Sequence, residues 1–221
     1  LDDPFVFLRP LGLRLLIAGG HRIGITGTAV IKEDKVSFIK DISGLNYRLA
    51  GEVIGAADEV VPMILKGGGI KNTLIISPPG AGKTTMLRDI VRQLSYKSYR
   101  VSVVDERSEI AALCEGRSAF DLGFSTDVLE GVDKAEGMLM VLRSMSPDVI
   151  VTDEIGKQSD IDAIERITNS GAGVIATIHG RNIDMIKRRD DLKRMLKFFD
   201  LIITLSKRKG IGTVEEALTE W

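Results

Sequence analysis

A glycine-rich loop between an apolar run and an amphipathic segment constrains the fold of this chain more than any other feature. The run Thr73–Ile76 has the composition of a buried strand, and Lys83–Ser95 carries apolar residues at helical spacing. Between them stands Pro78-Pro79-Gly80-Ala81-Gly82-Lys83-Thr84-Thr85. A strand, a glycine loop and a helix in this order are typical of a phosphate-binding loop, whose backbone amides point at the anion from a helix N-terminus. The alternative is a tight turn without a ligand.

The residues of this loop have separate expected roles. The predicted nucleotide contacts are Gly80, Ala81, Gly82, Lys83, Thr84 and Thr85. Lys83 is expected to reach the β- and γ-phosphates, and the Thr84 hydroxyl is expected to be a Mg²⁺ ligand. Ser77 stands where the motif has its first glycine. We expect a small serine to be tolerated there, because this residue ends the strand. The predicted ligands are therefore ATP and Mg²⁺.

A second apolar run ends in two acidic residues. Asp148–Thr152 leads into Asp153 and Glu154, about seventy residues beyond the loop, a separation typical of ATPases with such loops. Ligands of parallel sheets bind outside the carboxyl ends of the strands, so both acids are expected beside the phosphates. Asp153 is the predicted metal ligand, and Glu154 is the predicted base that orients and deprotonates the attacking water. Two solvated acids at a strand end are the alternative.

Two further runs also end in polar residues. Gly173–Ile178 leads into His179, which we expect to sense the γ-phosphate, although a lone histidine is more often structural. Tyr99–Val104 leads into the charged cluster 105–109, in which Glu106 is expected to support the γ-phosphate end. A solvated turn is the alternative for this cluster.

The chain changes character near residues 50–70. Residues 1–50 are predicted to form a small β-rich module, 51–69 a linker with room for a helix, and 70–221 a domain of alternating strands and helices. The short strand-like runs of the module are Arg14–Ala18, Arg22–Thr26, Thr28–Lys32 and Val36–Lys40. The predicted helices of the large domain are Lys83–Ser95, Asp133–Met145, Gln158–Ser170 and Asp190–Phe198.

Composition excludes several classes of protein. A hydrophobic content of 44% supplies a core, and a net charge of −1 gives no basic footprint for nucleic acid. The one cysteine, Cys114, excludes a disulfide framework and favours a reducing compartment. No apolar run approaches the length of a membrane span, and no secretory signal is seen. Because the first residue is Leu1, we expect N-terminal sequence to be missing and the module to be truncated.

The four strand-end motifs together resemble those of the secretion ATPase superfamily, the motors of type II and type IV secretion and of pili. Its Walker A, Asp box, Walker B and His box motifs match Ser77–Thr85, Val103–Glu109, Val149–Glu154 and Gly173–His179. A closer resemblance, to the stage III sporulation protein AA family, is carried by Gly19–Gly24, Asp41–Asn46, Val104–Ile110, Lys134–Met138 and Leu142–Pro147, the last leading into Asp153–Gly156. The resemblance implies a homo-oligomeric ring, expected to be a hexamer. It also implies a mother-cell cytoplasmic location beside membrane-embedded channel proteins.

Arginines of the N-terminal module approach a neighbouring subunit's nucleotide in the secretion family. By this resemblance Arg22 and Arg48 are candidate arginine fingers, and Arg143 is a third. Each is also compatible with a surface or structural role. From the sequence, no arginine within the core motifs is obviously placed to neutralise the γ-phosphate.

The predicted fold is α/β: a RecA-like P-loop ATPase core, mainly a parallel sheet covered by helices, with a small N-terminal β-rich module. The predicted activity is Mg-dependent ATP hydrolysis that powers a channel or secretion complex during endospore formation. Two alternatives remain open. One is a nucleotide-binding scaffold with little turnover, against which the intact Glu154 argues. The other is a nucleic-acid motor on the same fold, against which the near-neutral charge argues.

Overall fold

The computed structural model describes residues 14–17 and 21–221, without the side chains of 14–17, 22 and 191. Contacts divide the chain into two compact units, one of residues 1–51 with 112–120 and the other of residues 52–111 with 121–221. The first unit therefore includes a segment that comes from the middle of the chain, which the sequence analysis did not single out.

The first unit contains an antiparallel sheet of three strands in the order β1-β2-β3. The strands are β1 (Arg14–Ile17), β2 (His21–Lys32) and β3 (Lys35–Arg48). The separate runs 22–26 and 28–32 belong to one strand, because β2 continues through Gly27 with a shift of register. A Cβ atom at Gly27 would lie 2.6 Å from the Lys40 carbonyl oxygen, so only glycine allows this close approach.

The second unit is built on a seven-stranded sheet in the order β10-β9-β4-β8-β7-β5-β6. Its strands are β4 (Thr73–Ser77), β5 (Val101–Asp105), β6 (Thr126–Glu130), β7 (Val149–Thr152), β8 (Gly173–His179), β9 (Leu201–Ser206) and β10 (Thr213–Leu218). Every neighbouring pair is parallel except β9 and β10. The predicted mainly parallel α/β core is confirmed, although β6, β9 and β10 were not foreseen.

Helices join most of these strands. They are α1 (Val61–Ile64), α2 (Lys83–Tyr96), α3 (Lys134–Met145), α4 (Gln158–Ser170), α5 (Ile183–Lys187) and α6 (Asp190–Lys193). The predicted helix 190–198 is divided, since α6 gives way to a 3-10 segment at Arg194–Phe198. Helix α3 begins where the Asp133 side chain accepts the Ala135 amide at 3.1 Å.

The sheet is buried on both faces. Leu74 and Ile76 of β4 belong to an apolar cluster with residues of α3 and α4. The intervening Ile75 is also fully buried and, by strand alternation, points to the opposite face. The buried apolar residues of α2, such as Leu87 and Ile90, lie outside that cluster. Among the described residues, no helix has the length and apolar character needed to cross a membrane.

Candidate nucleotide-binding and catalytic site

The predicted phosphate-binding loop joins β4 to α2 at the carboxyl edge of the parallel sheet. Gly80 and Gly82 have φ angles of 69° and 90°, a backbone region that strains residues with a side chain. Gly82 precedes the first turn of α2, and its carbonyl accepts the Met86 amide at 2.9 Å. The first amides of a helix point outward from its end, so this geometry is suited to an anion. Thr84 and Thr85, both half-buried, lie in that first turn.

Ser77 takes the position of the missing glycine as the last residue of β4. It is fully buried and lies opposite His179 in the register of β4 and β8. Its hydroxyl donates to the Pro78 carbonyl at 3.0 Å, and its own carbonyl accepts the Gly180 amide at 3.2 Å. The serine therefore satisfies its polar atoms locally without occupying the loop.

Lys83, Glu154 and His179 meet at the end of the loop. The Lys83 ammonium contacts Glu154 Oε1 and lies 3.2 Å from His179 Nε2, which in turn is 2.9 Å from the same carboxylate oxygen. The side chains of Lys83 and Glu154 are 10% and 13% exposed. Burial lowers the pKa of His179, and the positive charge of Lys83 lowers it further. Three predicted site residues from separate segments are thus brought together.

The backbone of Glu154 is held in an unfavourable conformation by two contacts. Its φ angle is 44°, in the left-handed region that costs a residue with a side chain about 1–2 kcal/mol. The Glu154 amide donates to Thr177 Oγ1 at 2.9 Å, and its carbonyl accepts from Lys134 Nζ at 3.1 Å. Lys134 is only 3% exposed. These contacts fix the peptide that aims the Glu154 carboxylate at Lys83.

Asp153 is a buried carboxylate without a hydrogen-bond partner among the described residues. It is fully buried, and neither side-chain oxygen is satisfied. Burial raises the pKa of Asp153 to about 6, with an opposing effect from the charge of Lys134. Carboxylate oxygens of Glu109, Asp153 and Glu154 lie within 4.8 Å of one another. Since Mg²⁺ prefers such oxygen ligands, the unsatisfied carboxylate and its neighbours fit a divalent cation.

The charged cluster after β5 is folded around Asp105. This buried carboxylate accepts the amides of residues 109–111, each at 2.8 Å. Burial raises the pKa of Asp105, and these three hydrogen bonds oppose the increase. Arg88 of α2 donates to the carbonyls of Glu109 and Ile110, each at 2.8 Å. The segment is therefore anchored both to β5 and to the helix of the phosphate-binding loop.

This anchoring gives the two glutamates of the cluster different neighbours. Glu109 comes within the acidic group around Asp153. Glu106, the residue chosen from the sequence, instead forms an ion pair with Lys134 at 3.1 Å. Arg107 contacts the second oxygen of Glu154. Arg107 is therefore an arginine of the core motifs beside Glu154, while the expectation that none of them is placed to neutralise the γ-phosphate stays a prediction.

The three candidate arginine fingers lie elsewhere in the chain. Arg22 and Arg48 belong to the first unit, where they face each other in the register of β2 and β3. Arg143 is exposed in the last turn of α3. At 1.5 Å per residue, it lies about 14 Å along that helix from Lys134.

Sequence and structure comparisons identify the relatives of this arrangement. The family model described as "Sporulation stage III, protein AA" matches residues 11–220. The chain belongs to this family. A family member, stage III sporulation protein AA of Bacillus subtilis, is 40% identical over 207 residues, which cover 90% of this chain and 67% of the relative. Protein SEEDLING PLASTID DEVELOPMENT 1 of Arabidopsis thaliana is 30% identical over 180 residues, 80% of this chain but 24% of that protein.

Solved structures support the family's fold at lower identity. The Legionella pneumophila ATPase DotB gives a TM-score of 0.58 at 19% identity, over 83% of this chain and 53% of DotB. The pilus retraction motor PilT, solved with bound ADP, gives 0.57 at 18% identity, over 83% and 54% of the two chains. The VirB11 ATPase of the Brucella suis type IV secretion system, solved with sulphate, gives a TM-score of 0.52 at 14% identity. This match covers 99% of this chain and 76% of VirB11. This chain thus shares the fold of these ATPases, and it spans about half the length of DotB and of PilT.

Three contributors to the site were missed from the sequence. They are Arg107, Glu109 and Lys134. A signal existed for Lys134, because a lysine in the first turn of a helix opposes the helix dipole and therefore needs another partner. Nothing in the local pattern distinguished Glu109 from Glu106, since both follow the same strand.

Proposed function

We propose that this protein is a Mg-dependent ATPase that cleaves the bond between the β- and γ-phosphates. The observation that carries the proposal is the meeting of Lys83, from the phosphate-binding loop, with Asp153 and Glu154, which follow β7. The relatives named as ATPases, and the ADP in the PilT structure, support the same activity.

Each residue has one role in the proposed mechanism. The loop amides and Lys83 bind the phosphates, and Thr84 with Asp153 would hold Mg²⁺, which neutralises charge on the phosphate oxygens. Glu154 orients a water molecule and accepts its proton as the water oxygen attacks the γ-phosphorus and the bond to ADP breaks. His179 lies beside Lys83 and is suited to sense the γ-phosphate.

The contact between Lys83 and Glu154 links binding to chemistry. With Lys83 held by Glu154 and His179, an incoming phosphate must compete for the lysine ammonium. Once the phosphate takes Lys83, the Glu154 carboxylate loses one of its three partners and keeps Arg107 and His179. Nucleotide binding therefore changes the charge balance around the proposed base.

Assembly and biological role form the outer part of the proposal. We propose a homo-oligomeric ring, a hexamer by resemblance, in which Arg22 or Arg48 reaches the neighbouring nucleotide. The relative from Bacillus subtilis supports a role in sporulation. From the family resemblance we also propose a place in the mother-cell cytoplasm beside a membrane channel. The chain covers 67% of that relative, so the remaining third can contribute further functions.

The decisive experiment measures phosphate release against protein concentration. Wild type should turn over Mg-ATP with a specific activity that rises with concentration, because a finger supplied in trans is worth about 10³-fold in rate. Lys83→Ala should abolish binding or turnover. The matched control is Lys97→Ala, an exposed lysine at the other end of α2, about 20 Å away.

The outcomes separate the proposal from its alternatives. Wild-type affinity and rate in Lys83→Ala would remove the loop assignment. Tight Mg-ATP binding without turnover at any concentration would favour the scaffold, and turnover stimulated by DNA would favour the nucleic-acid motor. Activity independent of concentration down to a verified monomer would remove the ring while leaving the ATPase.

A further inference from the structure

The turn between β9 and β10, residues 207–212, packs against the phosphate-binding loop. Strand β9 is a parallel neighbour of β4, so both segments leave the same edge of the sheet. The Gly212 amide donates to the Ala81 carbonyl at 3.1 Å. A Cβ atom at Gly82 would lie only 2.9 Å from Ile211 Cγ2, so a larger residue in the loop would displace the turn. We call residues 207–212 the basic turn.

Lys207 is the residue of the basic turn that reaches the front of the loop. Its ammonium nitrogen lies 2.9 Å from the position that a Cβ atom would take at Gly80. Lys207 is exposed and, in the part of the chain that the structure describes, has no carboxylate partner. By contrast, Arg208 is paired with Glu215 at 2.9 Å, and its amide donates to Ser206 Oγ at 3.0 Å. These contacts stabilise the turn, and the Lys207 ammonium lies beside Gly80 of the phosphate-binding loop.

The order of strands indicates which part of a nucleotide this charge would meet. Glu154 and His179 follow or end β7 and β8, which lie on one side of β4. Strand β9 lies on the other side of β4. Lys207 therefore approaches the loop from the side away from the residues that handle the γ-phosphate.

We propose that Lys207 of the basic turn forms a nucleotide subsite, in which its Nζ binds the α- or β-phosphate. This inference rests on the proposed ATP-binding function and extends it to a segment outside the recognised motifs. The charge contact is made to phosphates that ADP and ATP share. It strengthens the binding of both nucleotides and leaves the rate of the chemical step at saturation nearly unchanged.

The test compares Lys207→Ala with Lys209→Ala, a neighbouring exposed lysine of the same turn. Titration calorimetry gives the Kd of the full chain for Mg-ADP and Mg-ATP, and phosphate release gives kcat. Lys207→Ala should weaken both nucleotides by about tenfold, the typical worth of a charge-assisted hydrogen bond. The Kd values of Lys207→Arg should stay within about threefold of those of the wild type. The Kd values of Lys209→Ala should equal those of the wild type.

Wild-type affinity in Lys207→Ala would overturn the subsite, provided that Lys83→Ala still abolishes binding. A loss confined to ATP would also overturn it, because the contact would then involve the γ-phosphate. An equal loss in Lys209→Ala would show only a general effect of surface charge and would remove the specific contact. Failure of the wild type to bind either nucleotide would instead overturn the proposed ATPase function together with the subsite.

Discussion

Replacing Asp153 by asparagine changes a buried charge while preserving shape. Burial raises the pKa of this carboxyl from 3.8 to about 6. A tenfold change in an ionisation equilibrium corresponds to about 1.4 kcal/mol, so ionisation of Asp153 lowers the free energy of unfolding by about 3 kcal/mol between low pH and neutral pH. The cost is relieved when a cation binds the carboxylate, which gives this unstable feature its use in the proposed site.

The sign of the pH dependence follows from the raised pKa. Well below pH 3.8 the carboxyl is protonated in both folded and unfolded states, and the wild type is then at its most stable relative to Asp153→Asn. As pH rises from about 4 to above 6, the unfolded state loses this proton first and the wild type becomes less stable relative to Asp153→Asn. The variant's stability relative to wild type should therefore improve by about 3 kcal/mol across this window and stay constant above about pH 7.

The assay is urea unfolding of both proteins between pH 4 and pH 8, with EDTA present to remove divalent ions. Any constant effect of the asparagine amide cancels, because only the change of the difference with pH is compared. Asp127→Asn, at an exposed position of β6, serves as the matched control for losing a carboxylate. A difference between wild type and Asp153→Asn that does not change with pH would refute the reasoning. In a companion measurement, Mg-ADP should stabilise the wild type more than the variant.

Three further predictions concern the chemistry and the assembly. Glu154→Gln should bind Mg-ATP about tenfold more tightly, because Lys83 loses a competing carboxylate. Its turnover should fall about 10²-fold or more, because the base is lost. Weaker Mg-ATP binding in calorimetry would contradict this prediction. Lys134→Met should lower kcat and keep the Kd for Mg-ATP within about threefold of wild type, because Lys134 donates to the Glu154 carbonyl and not to the nucleotide. A parallel loss of Mg-ATP affinity would argue for a direct contact between Lys134 and the nucleotide. Arg48→Ala should lower turnover without lowering the affinity for Mg-ATP. Mixing the Arg48→Ala and Lys83→Ala proteins should restore part of the activity, measured by phosphate release. No gain on mixing would argue against an arginine finger supplied in trans.

Local sequence patterns were sufficient to predict the type of fold and the central residues of the site. The strand, glycine loop and helix at 73–96 indicated a phosphate-binding loop. The acidic residues and the histidine that follow further apolar runs could be assigned to the same site as the loop, because the carboxyl ends of parallel strands meet at one edge of the sheet. The structure indeed brings Lys83, Glu154 and His179 into contact. Their catalytic roles and the domain boundaries at 50 and 70 stay predictions.

The tertiary structure alone decided which neighbouring charges join that group. Glu106 and Glu109 follow the same strand, and only the wrapping of amides around Asp105 directs Glu109 to the acidic group. Lys134 and Lys207 reach the site from segments far from the loop in sequence. Their contacts depend on which strands are adjacent in the sheet. Strand order is fixed by the burial of whole surfaces, whereas sequence spacing reports only the local period of a helix or strand.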